Sequence, residues 1–161
     1  MASLSAVLPH RAQHDRPVAA GEDLDALVDF FQHLSPASLV QIERFYACDA
    51  WFKDPFNEVC GVEAIRRIFE HMFRQVHDPR FVVTERIAGE NGVMLAWDFH
   101  FRMRTWRPAT VQTVHGVSHL RFDGEGRVSF HRDYWDAAEE LYAKLPVLGW
   151  AMRGLQRALR A

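Results

Sequence analysis

The feature that most constrains this chain is a change of hydrophobic period near Phe81: apolar residues recur at helical spacing before it and alternate in twos after it. Leu24, Leu27, Val28, Phe31 and Leu34 predict a first helix from about Glu22 to His33. Ser35-Pro36 offers a cap and a first-turn proline for a second, carrying Leu39, Ile42 and Phe45. Ala50 to Lys53 reads as a short extended piece ended by Asp54-Pro55, since proline has no N–H to give a ladder. After Gly61 comes the clearest amphipathic stripe, Val62, Ile65, Phe69, Met72, Phe73 and Val76, stopping before Asp78-Pro79.

Four β-runs follow: Phe81–Ile87, Val93–Arg104, Val111–Phe122 and Arg127–Trp135, divided by turn-forming clusters such as Asp123-Gly124-Glu125-Gly126. Connections this short imply an antiparallel meander, because parallel neighbours need a crossover. Two runs reach about 12 residues, and strands of that length must twist or bend. Helices followed by strands give an α+β class: a curved antiparallel sheet wrapped around N-terminal helices to form a cone. Helical patterns return at Ala137–Lys144 and Val147–Arg160, the second carrying Arg153, Arg157 and Arg160 away from Leu148, Met152, Leu155 and Leu159. The expected organisation is a poorly ordered tail over residues 1–21, a cone domain over 22–136 and a helical extension over 137–161.

Composition narrows the function classes. With 161 residues, 48% hydrophobic and 25% charged, the chain supplies one core and needs no disulfide or metal to stabilise it. A net charge of −2 argues against a dedicated nucleic-acid binder, and no apolar run is long enough for an integral membrane segment. Cys48 and Cys60 form no CxxC pair, and the first 21 residues carry Arg, His and Pro where a secretory core would lie. A cytoplasmic protein with reduced thiols is the expectation.

Helices, then a long curved sheet, with Lys53-Asp54-Pro55 between the second and third helices, resembles the nuclear transport factor 2-like superfamily. Gly116-Val117-Ser118-His119-Leu120-Arg121-Phe122, followed by His131-Arg132-Asp133-Tyr134-Trp135-Asp136, is similar to its SnoaL-like branch. The resemblance implies a cavity, and a superfamily containing isomerases, cyclases, dehydratases, epoxide hydrolases and plain binding domains leaves the chemistry to be argued from that cavity. Set against ketosteroid isomerase, which uses a carboxylate base with a tyrosine and a protonated aspartic acid as donors, Asp54 matches the base. The tyrosine position falls on Phe30 and the second donor on Ser118. Steroid isomerase activity is therefore not expected, since one lost oxyanion donor costs about 10²–10³ in turnover.

The resemblance also places Ser118 inward, and alternation then turns Val114, Gly116, Leu120 and Phe122 the same way. On the last strand it places His131, Asp133 and Trp135 on the cavity wall. For the second run, family alignment favours Asp98 and His100 inward, whereas hydrophobicity favours Trp97, Phe99 and Phe101. Polar-in is taken here, which leaves an aromatic row outside and calls for a homodimer to cover it. The expected catalytic group is Asp54 as base, with His100 and His131 as donor or relay, a histidine being held by Asp98 or Asp133. Phe30, Asp98, Ser118 and Trp135 would contact a small organic ligand. The competing structural readings are that the His–Asp pairs only satisfy buried polar groups and that Asp54 only forms its turn. No cofactor is implied, and no metal, because the nine histidines form no HxH or HExxH module. The expectation is a small-molecule-binding protein, as an isomerase, cyclase or dehydratase if it is an enzyme, with a non-catalytic ligand-binding or assembly domain as the alternative.

Overall fold

The structure, a computed structural model, describes residues 21–105 and 108–137. The expected N-terminal tail, apart from Gly21, and the C-terminal helices beyond Ala137 lie outside the described residues. Helix α1, Gly21–Gln32, buries Leu24, Leu27, Val28 and Phe31 along the predicted stripe. Where a second α-helix was expected there is a 3₁₀ segment, Ser38–Arg44, which buries only Leu39 and Ile42. Ser35 and Ser38 exchange side-chain to backbone hydrogen bonds of 2.8 and 3.1 Å across Pro36 and tie the turn that leads into it.

The chain then becomes extended four residues earlier than the sequence suggests. Strand β1 runs Tyr46–Lys53, turns through Asp54–Asn57, and pairs antiparallel with β2, Glu58–Cys60. Gly61, at φ 95°, reverses the chain into helix α2, Val62–Gln75, which buries Val62, Ile65 and Phe69. Strand β3, Val76–Gly89, starts directly from α2 and passes through Asp78-Pro79, where a break was expected. It does so through a bulge, with Asp78 at φ 51° and the register shifting between His77 and Arg80. Proline is tolerated there because β3 is an edge strand. Strands β4, Gly92–Met103, β5, Gln112–Phe122, and β6, Val128–Tyr134, complete the predicted antiparallel meander.

The six strands lie in the order β2-β1-β6-β5-β4-β3, with β1 parallel to β6 and every other pair antiparallel. The sheet is curved and unclosed, and the helices pack against it, so the fold is the α+β cone predicted. One core cluster joins α1 and α2 to the central strands, and a smaller one gathers Val76, Trp97, Phe101 and Val114.

The phase of β4 corrects the sequence reading. Trp97 and Phe101 are buried and Phe99 stacks between Phe81 and Phe101, so the aromatic row faces inward. Asp98 and His100 face outward instead, where Asp98 pairs with His115 at 2.7 Å and His100 with Thr113 at 2.9 Å. Placing apolar rings inside and ionisable groups where water reaches them is the cheaper arrangement. With its rings inside, the aromatic row gives no reason for a homodimer.

Gly116 is what lets Trp97 lie flat across β5. The two are register partners, and a Cβ at Gly116 would come within 2.3 Å of the indole. Gly116→Val is expected to push Trp97 off the sheet and lose about 1–3 kcal/mol by overpacking. Gly124→Ala, where an added Cβ meets nothing within 4 Å, should stay within about 0.5 kcal/mol. Urea denaturation of both variants checks the pair.

Candidate functional site

Inward-facing polar side chains from four adjacent strands meet behind α2. His131, on β6, is 2% exposed and uses both ring nitrogens: Nδ1 lies 2.6 Å from the Tyr46 hydroxyl and Nε2 lies 2.8 Å from Asp133 Oδ1. Ser118, on β5, donates to the same Oδ1 at 2.5 Å and accepts from Trp97 Nε1 at 2.8 Å. Nε2 also lies 3.3 Å from Ser118 Oγ.

The direction of these bonds follows from Tyr46. Burial, with a further contribution from the nearby Asp133 charge, pushes the Tyr46 hydroxyl well above its ordinary value. The phenol therefore keeps its proton; because the Asp133 carboxylate can only accept, the imidazole proton lies on Nε2, aimed at Asp133, and Nδ1 accepts from the phenol. Asp133 Oδ1 thus receives two donors. No hydrogen bond is made to its Oδ2 among the described residues, and the Asp133 side chain is 17% exposed.

Three hollows surround this carboxylate, and Asp133 is the one residue that lines all of them. An inner cavity of about 30 Å³, bounded by Phe31, Leu95, Trp97, Ser118 and His131, has room for about one water. A groove of about 560 Å³ runs between α2 and the aromatic face of β3 and β4. An outer depression of about 530 Å³ lies against Lys53, Arg132 and Trp135.

The residues singled out from the sequence fall into different places. His131, Asp133 and Ser118 come together in the buried chain, and Trp135 lines the groove, packing on Phe56 at 5.3 Å between ring centroids. Asp98 and His100 are on the opposite face of the sheet. Phe30 stacks on Phe45 at 4.4 Å in the core, and it is Phe31 whose edge meets His131. Asp54 lines the groove, but both its oxygens serve its own turn: Oδ1 accepts from the backbone of Phe56 and Asn57, and the Asn57 amide reaches both oxygens at 2.9–3.0 Å.

Two members of the chain were not singled out in the sequence. Tyr46 supplies a buried hydroxyl from the start of β1, whereas the resemblance places one on the first helix, at Phe30. Trp97 follows from the corrected strand phase. Among the described residues, no three His, Cys, Asp or Glu side chains are grouped to hold a metal, and no helix is long and apolar enough to cross a membrane.

Residues 27–131 match the SnoaL-like domain model. No curated protein sequence matches significantly. Among solved structures, a hypothetical protein with a ketosteroid isomerase-like fold from Catenulispora acidiphila, in complex with trimethylamine, superposes with a TM-score of 0.65 at 18% identity, over 81% of this chain and 98% of that one. A candidate SnoaL-like polyketide cyclase from Shewanella denitrificans gives 0.62 at 16%, over 78% and 100%. An LEH-like epoxide hydrolase from M. tuberculosis gives 0.59 at 14%, over 86% and 92%. At these identities the likeness is one of fold. The family match, however, begins within α1, ends at the buried histidine and takes in more than half of the sequence, so the chain belongs to the SnoaL-like domain family.

Proposed function

We propose that the groove binds a small organic molecule and that Asp133 moves a proton on it, the step on which isomerases, cyclases and dehydratases of carbonyl compounds depend. One observation carries the reading: the carboxylate is fixed through Oδ1 by His131 and Ser118 while Oδ2, without a partner among the described residues, belongs to a side chain that lines the groove. Oδ2 would take a proton from the carbon beside a ligand carbonyl. The C–H electron pair then forms a C=C bond as negative charge moves to the carbonyl oxygen. Returning the proton to a different carbon completes an isomerisation, and giving it to a departing hydroxyl completes a dehydration.

This assignment moves the base from Asp54 to Asp133 and changes the part played by histidine. His131 lines the inner cavity but not the groove, so it is a positioning residue, held in one tautomer by Tyr46, rather than a relay that touches ligand. A groove of this size lies within the usual range for small-molecule sites. Similar structures include a candidate polyketide cyclase and an epoxide hydrolase, and their names are in keeping with chemistry on small organic substrates.

The rival reading, binding without turnover, draws on the completeness of the chain: Tyr46, His131, Ser118 and Trp97 all satisfy one another. Asp133→Asn separates the two. Screened against cyclic ketones and β-hydroxy carbonyl compounds by NMR, with deuterium exchange as the readout, the wild type should exchange a carbon-bound proton. The Asn variant should bind equally and lose about 10²-fold or more of the exchange rate. Binding without exchange in the wild type would establish the rival.

Two further outcomes follow from the same geometry. Asp54→Asn should keep the exchange activity and lower only the melting temperature, because Asn still accepts from the Phe56 and Asn57 amides through one oxygen. Tyr46→Phe should cost about 1–3 kcal/mol, the penalty for leaving buried His131 Nδ1 without its donor. Because Tyr46 is raised in the folded state, its contribution is fully present below the ordinary tyrosine value of about 10 and is lost as pH rises through the folded value. Wild-type stability should therefore fall more steeply above about pH 10 than that of the Phe variant, as followed by denaturant midpoints across that range.

A further inference from the structure

We propose that the ligand of this groove is a ring-bearing organic anion, its rings against the aromatic wall and its acid group against Arg67 and Arg74 of α2. The proposal rests on the preceding reading that the groove takes a small molecule, and adds the chemical class.

The wall is built for flat rings. Phe81 and Phe99 stack at 4.3 Å between centroids and 19° between planes, Phe99 and Phe101 at 4.8 Å and 26°, and Trp97 closes the row edge-on to Phe81 at 5.7 Å. Rings stacked on one another in this way turn their edges to the groove, an apolar surface on which the face of a planar ring system packs edge to face and buries much area.

The opposite lip is cationic. Arg67, His71 and Arg74 all line the groove, at positions i, i+4 and i+7 of one helix. They therefore fall on one face along about 10 Å of axis. An Arg74 Nη2 leans back over His71 Nδ1 at 3.4 Å. Arg66, by contrast, does not line the groove and pairs with both Glu43 and Glu63. Arg86, Arg102 and Arg127 are likewise paired with carboxylates. Arg67 and Arg74 have no carboxylate partner among the described residues. Guanidinium groups beside an apolar groove match a carboxylate or sulfonate in a fixed fork geometry, and each such contact is worth about tenfold in affinity. The carboxylates of the groove, Asp54 and Asp133, lie on the strand side, across from these cations. An anion placed at α2 leaves Asp133 free to face the rings.

The test compares two dyes that differ by one charge, anilinonaphthalene sulfonate and uncharged phenylnaphthylamine, by fluorescence titration of the full chain. The sulfonate should bind about tenfold or more tightly than the neutral dye, and added salt should weaken the sulfonate alone. The double variant Arg67→Gln, Arg74→Gln should erase that preference and leave the neutral dye unchanged, whereas Phe99→Ala should weaken both alike. Equal affinity of the two dyes for the wild type, or a preference that survives the double variant, would overturn the proposal while leaving the groove a small-molecule site. Binding untouched by Phe99→Ala would place the dyes elsewhere and also count against it. If neither dye binds, the small-molecule reading of the groove falls with it.

Discussion

A partly buried carboxylate is tolerable only when its charge is met, and one polar chain through this protein's interior meets that of Asp133. The chain of hydrogen bonds from Tyr46 through His131, Asp133 and Ser118 to Trp97 crosses β1, β6, β5 and β4 in their order across the sheet. Each link depends on the next. Tyr46 sets the imidazole tautomer, the imidazole and the serine hold one carboxylate oxygen, and the indole N–H fills the acceptor that Ser118 has left. Such a network specifies strand register as firmly as packing does, because a slip of one residue would turn its polar groups to the other face and leave unpaired polar groups behind.

The surroundings of that chain are divided by chemistry. On the inner side, Phe52 and Phe31 present ring edges to the imidazole, and the cavity beside it is small. On the outer side the same carboxylate meets a groove large enough for a drug-sized molecule. One side chain thus belongs to both a closed interior and an accessible surface, and so structural support and chemistry can be altered separately by mutation.

Much of the fold was legible locally. The amphipathic stripe from Val62 and the period-two runs after Phe81 translate directly into α2 and the meander, because both patterns arise from one buried face. The phase of β5 follows from the same alternation once the resemblance turns Ser118 inward, and that of β6 comes from the resemblance itself. What failed had identifiable causes. For β4 the resemblance and plain hydrophobicity point in opposite directions, and the burial of Trp97 and Phe101 follows hydrophobicity. Strand β1 was truncated because a register shift between Tyr46 and Trp51 interrupts its alternation, so that Tyr46 and Ala47 are both buried. Asp54 kept its place in the motif, yet its carboxylate is consumed by the turn. The Tyr46 to His131 contact has no local signature, since it joins residues 85 positions apart.

That separation bears on the order in which the molecule is assembled. The β3–β6 meander is made of neighbours in sequence, each closed by a short connection, and can pair early at little cost in loop entropy. Strand β1 must return across α2 and all of the meander to lie parallel to β6, and only then does the phenol reach the imidazole. Until then the imidazole lacks its phenol donor, and the groove lacks the wall that Phe52, Asp54 and Phe56 supply. The groove wall and the contact that sets the imidazole tautomer are therefore completed together, at the topological closure of the sheet rather than at its nucleation.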